Sequence, residues 1–127
     1  MSEAAKTVLV VDDDPDARAF LTAVLADHGF ATAEAKDGVE ALAAIAEAPP
    51  DLVALDIAMP EKSGVAVYRK LREDEGLKHI PVIIITGMSD EFRSFISTRR
   101  HVPPPDEYIS KPVDHEQFLE AVRRLLA

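Results

Sequence analysis

The sequence predicts a doubly wound α/β domain: a (βα)5 three-layer sandwich with helices on both faces of a parallel sheet. Three observations carry this. The aliphatic runs Val8–Val11, Leu52–Leu55 and Val82–Ile85 are continuous rather than alternating, as in strands covered on both sides. Stretches of helix length with a one-sided apolar pattern separate them. The chain has 127 residues, enough for one domain that buries a core without staples. Right-handed crossovers then place helices on both faces of the sheet.

The first strand is read at Thr7–Val11. Asp14 caps the first helix, with Pro15 at its first position. Ala17, Phe20, Leu21, Val24 and Leu25 form its apolar face, and Gly29 stops it. Phe30–Ala35 is a weaker second strand. Asp37 and Glu40 have the spacing of a capping box, and Val39, Leu42, Ala43 and Ile45 give the next helix its apolar face. Pro49-Pro50 ends that helix, and Leu52–Leu55 is the third strand. Ser63 caps a helix running to about Glu73, with Val67, Tyr68 and Leu71 inward. Pro81 precedes the fourth strand, Val82–Ile85. A helix from Ser89 carries Phe92, Phe95 and Ile96 and cannot continue through Pro103-Pro104-Pro105. Glu107–Ser110 is a short fifth strand. Asp114 and Gln117 open the final helix, whose core side chains are Phe118, Val122 and Leu125.

Composition narrows the function. The chain holds 14 basic and 23 acidic residues, for a net charge of −9, which opposes binding to phosphate backbones. Most of the acids precede residue 87. There are no cysteines, which excludes disulfides, zinc fingers and a thiol nucleophile and suits a reducing cytoplasm. No run approaches the ~20 apolar residues of a membrane helix, and the first residues lack the pattern of a signal peptide. His28, His79, His101 and His115 show no metal spacing and are read as surface residues.

In an open parallel sheet the functional site lies outside the carboxyl ends of the strands. There the sequence puts Asp12, Asp13 and Asp14 after strand 1, Asp56 after strand 3, Thr86 and Gly87 after strand 4, and Lys111 after strand 5. Asp12, Asp13 and Asp56 would converge, and three close carboxylates need compensation. A hard divalent cation such as Mg²⁺ suits oxygen ligands of this kind. The cation, the Lys111 ammonium and the Thr86 hydroxyl together would stabilise a transferring phosphoryl group. Asp14 is read as a cap rather than a ligand, and Arg93, Arg99, Arg100 and His101 as a solvated face.

These pieces resemble the receiver domains of two-component response regulators, the stand-alone chemotaxis regulators among them. The carriers are Val8-Leu9-Val10-Val11-Asp12-Asp13-Asp14-Pro15, Asp51–Pro60 with Gly64, Pro81–Gly87, and Tyr108-Ile109-Ser110-Lys111-Pro112. The resemblance covers the chain from about Thr7 to Leu126. It implies one receiver domain over residues 1–127 and a flavodoxin-like sheet in the order 2-1-3-4-5. It implies that Asp56 is the phosphoacceptor, taking the group from a phosphohistidine on a sensor histidine kinase or phosphotransfer protein. Asp13, Asp56 and the Ala58 carbonyl would bind Mg²⁺, or Mn²⁺ as the alternative, with Asp12 acting through water. Lys111 would pair with the acceptor. Thr86 and Tyr108 would form a switch that reshapes the surface of the fourth helix, fifth strand and fifth helix for a downstream protein target. The Lys111–Pro112 bond would be cis. Such a domain is cytoplasmic, inserts in no membrane, contacts no nucleic acid directly, and catalyses only its own phosphorylation and dephosphorylation. Because the chain ends where its last helix should end, it is read as lacking an effector domain.

The chain departs from the family pattern in two places. The stretch from Thr86 to Lys111 is longer than usual, with Pro103-Pro104-Pro105 replacing the common Gly-Ala before strand 5. Ala58 and Met88, two positions after Asp56 and Thr86, are both apolar. Two other functions compete with the receiver. A metal-dependent phosphohydrolase would account for the acid-x-acid triplet Asp12–Asp14 but not for Thr86, Tyr108 and Lys111-Pro112 together. A scaffold that is never phosphorylated has no use for an intact pocket.

Overall fold

The computed structural model describes residues 5–57, 63–86 and 105–127, with only the backbone for Ser63 and Thr86. Five strands, β1 (Thr7–Val11), β2 (Ala31–Ala35), β3 (Leu52–Asp56), β4 (Val82–Thr86) and β5 (Glu107–Ser110), form one parallel sheet in the order β2-β1-β3-β4-β5. Among the described residues the helices are α1 (Pro15–Asp27), α2 (Gly38–Glu47), α3 (Ser63–Glu73) and a C-terminal helix (His115–Leu126). The helix expected from Ser89, with its apolar and basic side chains, lies outside the described residues. So do Ala58, Gly87, Met88, His101, Pro103 and Pro104.

Strand side chains alternate between two buried layers. Leu9, Val11, Val53, Leu55, Val82 and Ile84 meet α2 and α3 through Ala41, Ile45, Val67, Tyr68 and Leu71. Val8, Val10, Leu52, Ala54, Ile83, Ile85 and Ile109 meet α1 and the C-terminal helix through Leu21, Leu25, Phe118, Ala121 and Val122. Each fully buried aliphatic side chain contributes about 1.5–3 kcal/mol. That double coverage is why β1, β3 and β4 read as unbroken apolar runs.

The caps at Asp14, Asp37 and Asp114 follow the sequence with one change of partner, whereas Ser63 is itself the first residue of α3 and its side chain lies outside the described atoms. The Asp14 carboxylate accepts from the Asp16 N–H at 3.0 Å and the Asp37 carboxylate from the Glu40 N–H at 2.8 Å. The Glu40 carboxylate reaches back to the Lys36 N–H at 3.0 Å, one residue before the cap. Asp114 accepts from the N–H groups of Glu116 and Gln117. Gly29 ends α1 with φ +89°, where a side chain would be strained.

Two expected helix faces are corrected. In α2 the buried stripe is Gly38, Ala41 and Ile45, whereas Val39 is 81% exposed and Ala43 also faces out. Ala41 and Ile45 join the core cluster instead, so packing overrode side-chain hydrophobicity. In α1, Leu21 and Leu25 are buried, but Phe20 is 44% exposed at the edge of the stripe. β2 begins at Ala31 rather than Phe30, because the Phe30 N–H bonds back to Leu25 O at the end of α1.

Candidate functional site

Strand register assembles the site. Val11 pairs with Leu55, so the next residues, Asp12 and Asp56, stand level. Asp56 pairs with Ile85, and Thr86 pairs with Ser110, whose successor is Lys111. Four chain segments thus deliver Asp12, Asp56, Thr86 and Lys111 to one end of the sheet. The Thr86 hydroxyl and the Ala58 carbonyl lie outside the described atoms.

Asp12 and Asp56 are buried, at 1% and 4% exposure, while Asp13 is exposed. Carboxylate oxygens of the three lie within 4.8 Å of one another. Lys111 Nζ donates to Asp12 Oδ2 at 3.1 Å and to Asp56 Oδ2 at 3.3 Å. Burial works against the Lys111 ammonium, but the hydrogen bond to Asp12 and the charges of Asp56 and Asp12 outweigh it. The pKa is therefore raised above the ordinary 10.5, and the side chain stays charged at neutral pH. The Lys111–Pro112 bond is cis.

The second oxygen of Asp12 accepts from the Asp14 N–H at 2.9 Å, which folds the β1–α1 turn around the carboxylate. Arg18, which sequence patterning did not single out, donates to the Asp12 carbonyl at 2.7 Å and to Glu34 at 3.2 Å. Its place one turn into α1, four residues after the Asp14 cap, is the only signal the sequence holds. Gly64 lets α3 start against the end of β3. A Cβ there would overlap the Asp56 carbonyl oxygen and come within 2.8 Å of Ile57 Cα.

Two buried carboxylates, a third beside them and one ammonium leave an excess of negative charge in a small volume. That donor set, oxygen-only and acidic, fits a hard divalent cation. A cleft beside it is lined by Ala17, Phe20, Leu21, Ile85, Pro112 and Val113. Tyr108 is 57% exposed on β5, and the described histidines His28, His79 and His115 are exposed, as expected. Among the described residues no helix is long and apolar enough to cross a membrane.

Known proteins share this fold. The chain is 36% identical over 126 residues to the DNA-binding response regulator MtrA of Mycolicibacterium smegmatis, covering 99% of this chain and 53% of MtrA. It therefore spans about half the length of the MtrA relatives it matches. It is 35% identical over 120 residues to Protein PilH of Pseudomonas aeruginosa, covering 94% of this chain and 97% of PilH. Among solved structures, the signal receiver domain of a signal transduction histidine kinase from Syntrophus aciditrophicus superposes with a TM-score of 0.85. Its identity is 33%, over 96% of this chain and 90% of that one. Vibrio cholerae chemotaxis protein CheY4 gives 0.84 at 28% identity, over 97% and 100%. Residues 8–123 match the response regulator receiver domain, so the chain belongs to that family and serves as a phosphoacceptor in two-component signalling.

Proposed function

We propose that Asp56 is the residue that takes the phosphoryl group, from a phosphohistidine on a sensor histidine kinase or phosphotransfer protein. One observation carries this: Lys111 Nζ lies 3.3 Å from the buried carboxylate of Asp56, within a cluster of three acids. An Asp56 oxygen attacks phosphorus, the O–P bond forms, the P–N bond breaks, and its electron pair stays on the imidazole nitrogen. Lys111, held by both Asp12 and Asp56, is placed to meet the negative charge of the arriving oxygens. In this reading Asp13, Asp56 and the Ala58 carbonyl would hold Mg²⁺, or Mn²⁺, with Asp12 acting through water, and the ion would supply charge neutralisation.

The same reading assigns Thr86 and Tyr108 to the switch and makes residues 1–127 a single receiver domain. A downstream protein docks around the stretch that follows Thr86, β5 and the C-terminal helix. The domain works in the cytoplasm. Its net charge of −9 argues against direct nucleic-acid contact.

Turnover separates this from phosphohydrolase chemistry. With acetyl phosphate and Mg²⁺, release of inorganic phosphate should follow the slow decay of one covalently held group per chain. Fast, sustained turnover of generic phosphate esters would overturn the receiver reading.

A further inference from the structure

At the opposite end of the sheet from the acids, Asp106 and Arg72 form a clip that plays no part in the pocket's own contacts. The Asp106 N–H donates to the Val82 carbonyl at 3.1 Å, and Asp106 Oδ2 accepts from the Val82 N–H at 2.8 Å. One residue therefore satisfies both backbone groups of fully buried Val82, at the first residue of β4. The same Oδ2 accepts from Arg72 Nη2 at 2.8 Å. The Arg72 side chain is only 6% exposed. Its guanidinium also donates to Ile80 O at 2.9 Å, to Lys78 O at 3.2 Å and to the Tyr68 hydroxyl at 3.3 Å. The planar fork joins the last turn of α3, the segment entering β4 and the residue entering β5.

We propose that Asp106 and Arg72 are positioning residues for phosphoryl transfer, fixing where β5 begins and thereby where Lys111 ends. The proposal rests on the phosphoacceptor reading of Asp56. β5 is four residues long and, among the described residues, lies at the sheet edge and pairs only with β4. Pro103, Pro104 and Pro105 before it have no N–H, so Asp106 is the first residue there that can donate to the ladder. An extended strand does not stretch, so its entry and exit move together. A two-residue slip keeps Ile109 inward but moves Lys111 by about 7 Å, beyond reach of Asp12 and Asp56. A shift near 1 Å is enough to slow a positioned reaction.

The test compares Asp106→Ala, Asp106→Asn and Arg72→Lys with wild type. It follows labelling of Asp56 by acetyl phosphate, Mg²⁺ affinity, and amide exchange strand by strand. Asp106→Ala should label slower by roughly tenfold or more, with faster exchange in β5. Exchange in β1 and β3 should stay at wild-type levels and Mg²⁺ affinity should not fall. Asp106→Asn should lie between, because its amide oxygen still accepts from Val82. Arg72→Lys should loosen β5 as well, since an ammonium cannot span the carbonyls and the carboxylate together. Wild-type labelling and β5 exchange in Asp106→Ala would overturn the proposal. So would uniform loosening of every strand with a parallel loss of Mg²⁺ affinity. If Asp106→Ala does not fold, the other two variants carry the same comparison. If wild type takes no phosphoryl group, the reading of Asp56 fails, and β5 exchange still decides the clip.

Discussion

At Gly64 the first turn of α3 passes so close to the end of β3 that a side chain has no room. The obstructing atoms are backbone, which cannot swing aside. Gly64→Ala should therefore cost about 1–3 kcal/mol and push α3 away from the strand that presents Asp56. Thermal melts check the stability, and an unchanged midpoint would show that the backbone yields freely. Tyr68 makes a different point. It is fully buried, and burial raises its pKa above 10.0, against the lowering effect of the Arg72 hydrogen bond and charge. The unfolded chain loses this proton as pH passes 10.0, while the folded protein keeps it. The stability that depends on a neutral Tyr68 is complete below that pH and declines above it. The melting difference between wild type and Tyr68→Phe should be constant at neutral pH and shrink as pH rises past 10.0. A constant difference would remove Tyr68 as a cause of alkaline destabilisation.

Among strands and helices, β1, β3 and β4 were the most legible, because in a chain this short an unbroken aliphatic run can be buried on all sides only in the middle of the sheet. The strand-end residues Asp12, Asp13, Asp56 and Lys111 were legible too, since a parallel sheet collects whatever follows its strands. The buried side of α2 was not: Val39 outranks Ala41 in hydrophobicity, yet tertiary packing turns Ala41 inward and Val39 to solvent. Arg18 and the Arg72–Asp106 pair were also missed. Their partners are carbonyls and a carboxylate distant in sequence, and no periodicity marks such contacts. The residues that follow β3 and β4 in sequence carry a prediction about lifetime. Ala58 and Met88 cannot orient a water with a hydrogen bond, so the acyl phosphate should decay slowly. The double substitution Ala58→Asn with Met88→Glu should quicken the decay by about tenfold or more, because orientation is a large share of catalysis. Decay of wild type within seconds, or slower decay in the substituted protein, would contradict this.

The fold as a whole gathers Asp12, Asp13 and Asp56 at one end of a sheet buried on both faces. Asp12 and Asp56 have lost most of their water there, and Lys111 balances only part of their charge. A cation that binds the folded state alone should stabilise it. Each tenfold rise in free Mg²⁺ above its dissociation constant should add about 1.4 kcal/mol. Asp13→Asn should raise the stability of the metal-free protein by about 1 kcal/mol or less, since Asp13 is exposed, and abolish the response to Mg²⁺. A wild-type midpoint indifferent to millimolar Mg²⁺ would remove the metal site.

The role proposed for this pocket is to load a phosphoryl group onto Asp56. The most direct measurement is mass spectrometry of the intact protein and its peptides after incubation with acetyl phosphate and Mg²⁺. The structure's arrangement of Asp12, Asp13, Asp56 and Lys111 leads us to expect a single added group, mapped to the peptide that contains Asp56. The group should be absent when a chelator is present and absent in Asp56→Asn. Undiminished labelling of Asp56→Asn, or labelling at any other residue of the wild type, would rule out Asp56 as the acceptor.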